Sequence, residues 1–475
     1  MRDRATQALL KMAMEPEWEA KFEPNSYGFR PGRSAHDAVE AIHTAICQKA
    51  KYVLDADIAK CFDKIDHKKL LSKLNTFPLF ERAIKKWLTS GVLDQGELFP
   101  TQEGTPQGGV ISPLLANIAL HGLETELIQA FPTKVKIGDK WHLWKPQVIR
   151  YADDFVILHP GKEEIEKCKE IASKWLAEIG LELKPEKTRI THTLIKIDDK
   201  TPGFNFLRFN IRSYPVGQTN CGKNNGVKTG FKTLVKPAKE NIQAHYQKVA
   251  EVITQCRPAT QDELISQLIS LITGWCNYYA TVCSKDIFAQ LDHLVWKKLF
   301  RGWGKFRHPN KSGRWIAKKY WRLQKGEGWT FGNGSLVLPK HSNTKINRHI
   351  KVRGGSSPYD GNWTYWSKRK GEYPGLSKKV TITIKKQKGK CAECGLSFLP
   401  DNLVEIHHKD GNYRDNRLEN LTAVHLHCHD RIHGGIGNLT AQLSIHDKDQ
   451  LGEEPDDRKL SRPVLKPSRV GDHPA

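Results

Sequence analysis

The sequence predicts a multidomain protein with a mixed α and β first half, a strongly basic helical middle, and a small metal-binding module toward the C-terminus. Three observations carry this. The chain has 475 residues, and single hydrophobic cores rarely grow past roughly 250 to 300 residues, so three or four domains are expected. Strand-like runs such as Tyr52 to Ile58 and Val148 to Leu158 alternate with helical periodicity through residue 215, after which helical spacing prevails. Near the end, Cys391 and Cys394 are followed by His425 and Cys428 at the same spacing, a pattern suited to a metal rather than a disulfide.

Charge narrows the function classes. Lys and Arg outnumber Asp and Glu by 75 to 52, and a net charge of +23 would repel itself unless the partner were a polyanion. Nucleic acid is the leading partner, ahead of an anionic membrane surface. No apolar stretch follows Met1-Arg2-Asp3-Arg4, and no run approaches the roughly 20 apolar residues of a membrane span, so a cytoplasmic location without membrane insertion is expected. The remaining cysteines, from Cys47 to Cys283, are scattered rather than set in a secreted framework.

In the first half, residues 1–215, two acidic sites stand out. Asp57 ends an apolar strand and is followed by Phe62, while Tyr151-Ala152-Asp153-Asp154 lies between apolar runs and predicts a β-hairpin turn carrying two adjacent carboxylates. Three carboxylates converging on a cleft can hold two Mg²⁺ ions, one activating a 3′ hydroxyl and the other gripping a triphosphate. An Asp-Asp pair alone is more often a solvated turn. The segments around the pair decide otherwise: Asn25-Ser26-Tyr27-Gly28-Phe29-Arg30-Pro31-Gly32-Arg33-Ser34 precedes both acidic sites, and Gly104-Thr105-Pro106-Gln107-Gly108-Gly109-Val110-Ile111-Ser112-Pro113 lies between them. In this order the motifs resemble the reverse transcriptases encoded by group II introns, a resemblance extending to about residue 435.

The resemblance implies a palm with partial fingers over residues 1–215, with Asp57, Asp153 and Asp154 as the metal-binding carboxylates. Phe62 would lie beneath the incoming sugar and exclude a 2′ hydroxyl, Gln107 would help hold the nucleotide, and Lys187 would lie near the triphosphate. Asp55 shares a strand face with Asp57; the spacing to Phe62 in the family favours Asp57. One departure is Arg208, where the family usually has glycine. Met1 to Ala8 looks like the middle of the family's fingers, so the segments that hold template and supply cations to the triphosphate are expected to be missing, and polymerisation by this chain alone to be poor.

A Gly-, Asn- and Lys-rich stretch from Gly217 to Gly230 reads as a loop and a first boundary. Within 231–326, Thr260 and Glu263 form a capping-box pattern, and Leu264, Leu268, Leu271, Ile272 and Trp275 then share one helical face. A second helix is expected to carry Ile287, Leu291, Leu294, Val295 and Leu299. From His293 to Gly326 there are eleven Lys and Arg and no acidic residue, interleaved with Trp296, Trp303, Trp315 and Trp321. A merely solvated face would include some acid; several of the tryptophans would equally serve as core. This region is similar to the family's thumb and maturase domain, which binds intron RNA, and residues 327–388 would correspond to its DNA-binding segment.

Residues 389–435 hold two ligand sets. Cys391, Cys394, His425 and Cys428 suit a closed structural Zn²⁺ site. Between and beyond these pairs, His407-His408, Asn420, His429 and His433 resemble an HNH endonuclease of ββα-metal fold. That resemblance implies His408 as general base, Asn420 as the residue orienting its loop, and His407, His429 and His433 as ligands of a catalytic divalent ion. Residues 436–475, Pro-rich and poor in apolar side chains, read as a disordered tail. The whole is identified as a group II intron-encoded protein, implying intron RNA, target DNA and deoxynucleoside triphosphates as partners, in a bacterial cytoplasm or an organelle. The alternative is an RNA-binding splicing maturase with an HNH nuclease but defective reverse transcription.

Overall fold

The computed structural model describes residues 2–94, 97–99, 103–105, 109–199, 201–217, 219–224, 226–324, 328–334, 336–370, 376–399, 402–413 and 415–433. Gln107 and the expected tail, 436–475, lie outside them.

A four-stranded antiparallel sheet organises the first half, in the order β4 (Gln147–Tyr151), β5 (Asp154–His159), β1 (Tyr52–Asp57) and β6 (Arg189–His192). Its strands alternate between two cores. Val53, Ile149, Val156 and Leu158 join a cluster shared with the helical domain, whereas Leu54, Ala56, Val148, Phe155 and Ile157 pack with helices on the other face. Those helices are α1 (Arg2–Lys21), α4 (Ser112–Leu120) and α5 (Lys162–Glu178), while α2 (Ala35–Ile46) covers the first face and the short α3 (Cys61–Lys64) follows β1. Between α4 and β4 stands a small ribbon, β2 (Lys134–Ile137) paired with β3 (Lys140–Leu143).

The expected boundary at 217–230 falls inside a second sheet. β7 (Phe204–Phe206), β8 (Phe209–Pro215) and β9 (Phe231–Pro237) run antiparallel, with Pro215 opposite Phe231. The glycine-rich stretch therefore joins paired strands, and strand spacing persists to Pro237 before the helices begin. Helices α6 (Lys239–Gln255), α7 (Gln261–Tyr279) and α8 (Lys285–Lys298) follow. The capping box forms at α7: Thr260 N–H donates to Glu263 Oε2 at 2.8 Å, and Glu263 N–H donates to Thr260 Oγ1 at 3.4 Å. In the basic stretch Trp303 and Trp321 are core, while Trp296 and Trp315 remain partly exposed; Trp315 is flanked by Lys311 and Lys319 and lies on α9 (Gly313–Tyr320).

Residues 336–370 run back along the molecule. His341 docks on α8 through Asp292, and Asn347 N–H donates to Ala280 O at 2.8 Å. Farther on, buried Asp37 of α2 accepts from Val352 N–H at 2.7 Å, from His349 Nε2 at 2.9 Å and from Arg369. Trp366, on α10 (Trp363–Lys370), is fully buried against this junction. Burial alone would raise the Asp37 carboxyl; the hydrogen bond from His349 and the Arg369 charge outweigh it and hold the group well below the usual range. A last module packs α11 (Lys378–Lys386) on a hairpin of β10 (Val404–His408) and β11 (Leu421–His425), followed by α12 (Leu426–Ile432).

Candidate active site and metal centres

Antiparallel pairing places Asp57 directly opposite Asp154, with Asp153 next to it in the turn between β4 and β5. The turn is tight. Ala152 takes φ +56°, a left-handed conformation that costs a non-glycine residue about 1 kcal/mol. It is propped from several sides: Ile58 N–H donates to Asp153 O at 3.2 Å, and Arg150 Nη1 donates to Ala152 O at 3.2 Å and to Asn117 Oδ1 at 3.0 Å. Asn117 Nδ2 in turn donates to Gly28 O at 2.8 Å. Gly28 lies so close beneath the turn that a Cβ there would sit 2.3 Å from Ala152 N. The Tyr-Gly-Phe motif thus supports the carboxylate turn, and only glycine fits.

Burial, reinforced by the charges of Asp153 and Asp57, pushes the Asp154 carboxyl up to about 7, and burial likewise raises Asp153. Crowded half-buried carboxylates of this kind call for a cation, and hard oxygen donors suit Mg²⁺. Asp57 is ion-paired with Lys187, and Asp55 on the same strand with Arg189 at 2.9 Å. Among the described residues the oxygens of Asp57, Asp153 and Asp154 are not drawn together as tightly as the Cys and His sets below. Phe62, on α3, is half-buried and meets Phe29 edge to face at 5.9 Å beside the site.

In the last module, ligand atoms of Cys391, Cys394, His425 and Cys428 all lie within 4.8 Å of one another. Tetrahedral zinc bonded to sulfur at about 2.3 Å places its ligands about 3.7 Å apart, so these residues fit that ion. Burial and the neighbouring Cys394 and Cys391 push the Cys428 thiol up, a crowding that a bound cation would relieve. His407, His429 and His433 form a second set gathered within the same limit, with His407 Nδ1 3.3 Å from His433 Nε2 and His429 Nδ1 2.6 Å from Glu405 Oε2. This imidazole donor set suits a borderline divalent ion. His408 precedes the loop that Asn420 ties down: Asn420 Nδ2 donates to Asp410 Oδ1 at 2.7 Å, and Asp410 N–H donates to Asn420 Oδ1 at 3.1 Å. The Nε2 atom of His408 is buried without a hydrogen-bond partner.

Comparison with known proteins bears on the first two regions. Residues 1–211 match the family described as reverse transcriptase (RNA-dependent DNA polymerase). Residues 242–321 match the group II intron maturase-specific domain. Over these two stretches the chain is homologous to group II intron reverse transcriptases and maturases. Group II intron-encoded protein LtrA of Lactococcus lactis is 28% identical over 365 residues, covering 62% of this chain and 59% of that protein. Protein YkfC of Escherichia coli is 33% identical over 220 residues, covering 40% of this chain and 58% of that one. An uncharacterised 91 kDa protein in the cob intron of Schizosaccharomyces pombe is 28% identical over 355 residues, covering 62% and 43%. The chain thus spans about three fifths or less of the length of these relatives, and both matched stretches end before the Cys and His module.

The hairpin turn expected at Asp153 and Asp154 is present, and Asp57 faces it. Sequence reasoning did not find the support beneath: Gly28, Asn117 and Arg150 act together only in three dimensions. Arg208, the departure noted above, takes φ +68°, the left-handed conformation glycine would adopt freely. Its carbonyl is held by Tyr279 Oη at 3.3 Å and by Ala238 N–H at 2.9 Å, which fixes arginine in a conformation that favours glycine.

Proposed function

We propose that this chain is an RNA-directed DNA polymerase and intron maturase with an HNH-type DNA endonuclease, serving group II intron splicing and target-primed insertion. The observation that carries the polymerase reading is Asp57 facing Asp154 across paired strands with Asp153 adjacent, inside a matched reverse transcriptase domain. Asp57, Asp153 and Asp154 would hold Mg²⁺, which when bound activates the primer hydroxyl and neutralises the triphosphate. Phe62 would pack beneath the sugar, and Lys187, released from Asp57, would face the triphosphate. Gln107 would contact the nucleotide. The helical domain, with its surface lysines around Trp315, would bind intron RNA.

The nuclease reading rests on two ligand sets within one ββα unit. Cys391, Cys394, His425 and Cys428 would hold zinc and so hold the module folded. His407, His429 and His433 would hold the catalytic ion, whose charge stabilises the pentacovalent phosphate and the departing 3′ oxygen. His408 would take a proton from the attacking water, its loop fixed by Asn420.

Two substitutions separate the activities. Asp153→Ala should abolish primer extension on an RNA template while sparing RNA binding. His408→Ala should abolish nicking of duplex DNA while leaving zinc content unchanged. Extension by Asp153→Ala at the parent rate would defeat the polymerase assignment, and nicking by His408→Ala would defeat that of the base.

A further inference from the structure

The ribbon of β2 and β3 has no evident role in the chemistry above. Its strands place Lys136 opposite Trp141 and Lys134 opposite Leu143, so these four side chains share one face. All four are exposed; Trp141 and Leu143 are 66% and 74% accessible. Between Pro132 and Gln147 the chain carries Lys134, Lys136, Lys140 and Lys145, and its only acid is Asp139 in the turn. Free two-stranded ribbons are marginal in water, and a bare tryptophan on one is a liability unless something covers it.

The ribbon is firmly rooted. Trp144 N–H donates to Thr133 O at 3.1 Å, closing its base. The Trp144 indole N–H donates to Glu164 Oε1 of α5 at 3.1 Å, and His159 of β5 bonds Trp144 O at 2.9 Å while packing edge-on against the indole at 4.8 Å. The first half of the chain therefore holds out a blade whose open face carries Trp141 opposite Lys136, with Leu143 and Lys134 next along it. It leads into β4 at the end opposite the carboxylate turn, a separation of about 17 Å along five strand residues.

We propose that this face is a docking site for unpaired RNA, with a base stacked on Trp141 and backbone phosphates on Lys134 and Lys136. Charge complementarity selects a polyanion, and an exposed ring beside lysines is the chemistry by which single strands are gripped without regard to sequence. Unpaired RNA rather than DNA rests on the maturase reading above.

The test measures affinity of the full chain for a fluorescently labelled single-stranded RNA of about a dozen nucleotides, a length within the range bound by single-strand sites. Trp141→Ala should weaken binding about tenfold, and Lys134→Gln with Lys136→Gln should lower the salt dependence by roughly 1.4 in log–log slope. Primer extension on a short annealed template should be unchanged in both, as should the unfolding midpoint. Equal RNA affinity of Trp141→Ala and parent would overturn the proposal while leaving the maturase reading intact. A parent that binds no RNA would overturn both. A Trp141→Ala variant that changes sedimentation but not RNA affinity would show the face to be a protein contact and overturn the proposal as well.

Discussion

At the scale of single residues, the carboxylate turn depends on a glycine 124 positions away from Ala152 in sequence. A Cβ at Gly28 would meet backbone, which cannot rotate aside, so Gly28→Ala must displace the turn or its own loop. Gly28→Ala is expected to cut primer extension at least tenfold, equivalent to about 1.4 kcal/mol, while RNA affinity and zinc content stay at parent values. Steady-state extension on an RNA template checks this; an unimpaired variant would show that the turn tolerates the shift. The hairpin turn at Asp153 and Asp154 was legible as a local pattern, whereas the choice of Asp57 over Asp55 came from the spacing to Phe62 in the resembled family. Gly28, Asn117 and Arg150 were not, since their relation is a contact among segments that share no periodicity. Gln107 falls outside the described residues, so its expected role stays with the proposed function.

Among elements, the helical domain and residues 336–370 are fastened by a buried chain of imidazoles. His245 on α6 stacks on Trp275 of α7 at 4.5 Å and bonds His341 Nε2 at 2.9 Å, and His341 Nδ1 bonds Asp292 of α8 at 2.9 Å. Burial pushes the His245 imidazole down to about 3, with the neighbouring His341 and Lys248 adding to the effect. The folded value lies below the unfolded one, so the unfolded chain takes up the proton first as pH falls. The stability due to His245 is full above about pH 6.5 and is lost progressively toward pH 3. Between pH 7 and 5 the loss should be about 2 kcal/mol, seen as a falling urea midpoint by tryptophan fluorescence. His245→Phe keeps a ring on Trp275 and should start lower but show a flatter dependence; parallel slopes would reject the assignment. The capping box and the helices of this region were legible from spacing. The stretch 217–230 was misjudged because glycine, asparagine and lysine compose hairpin connections as readily as linkers, and only pairing of β8 with β9 tells them apart.

At the scale of the molecule, residues 327–388 read from the sequence as a basic segment that the resemblance assigns to DNA binding. Their first part is bound into the palm by few but decisive residues: Trp366 and Val352 are buried, and Arg33 Nη2 donates to Gly354 O at 2.7 Å. A handful of apolar positions among thirteen Lys and Arg leaves no periodic trace, so the docking was illegible. A chain ending at residue 370 should remain folded and extend primers. One ending at residue 335 removes Val352 and Trp366 from the core together with His349 and Arg369, the partners of Asp37, and should melt below the full chain. Melting of the two truncations, compared with the full chain, checks this, and equal midpoints would count against the Asp37 junction. The same junction bears on how such proteins can be rearranged by recombination. An exchange that brings a new C-terminal module onto this fold must join it after α10, because a crossover near residue 327 would discard Val352 and Trp366 from the core shared by the first sheet and the helical domain.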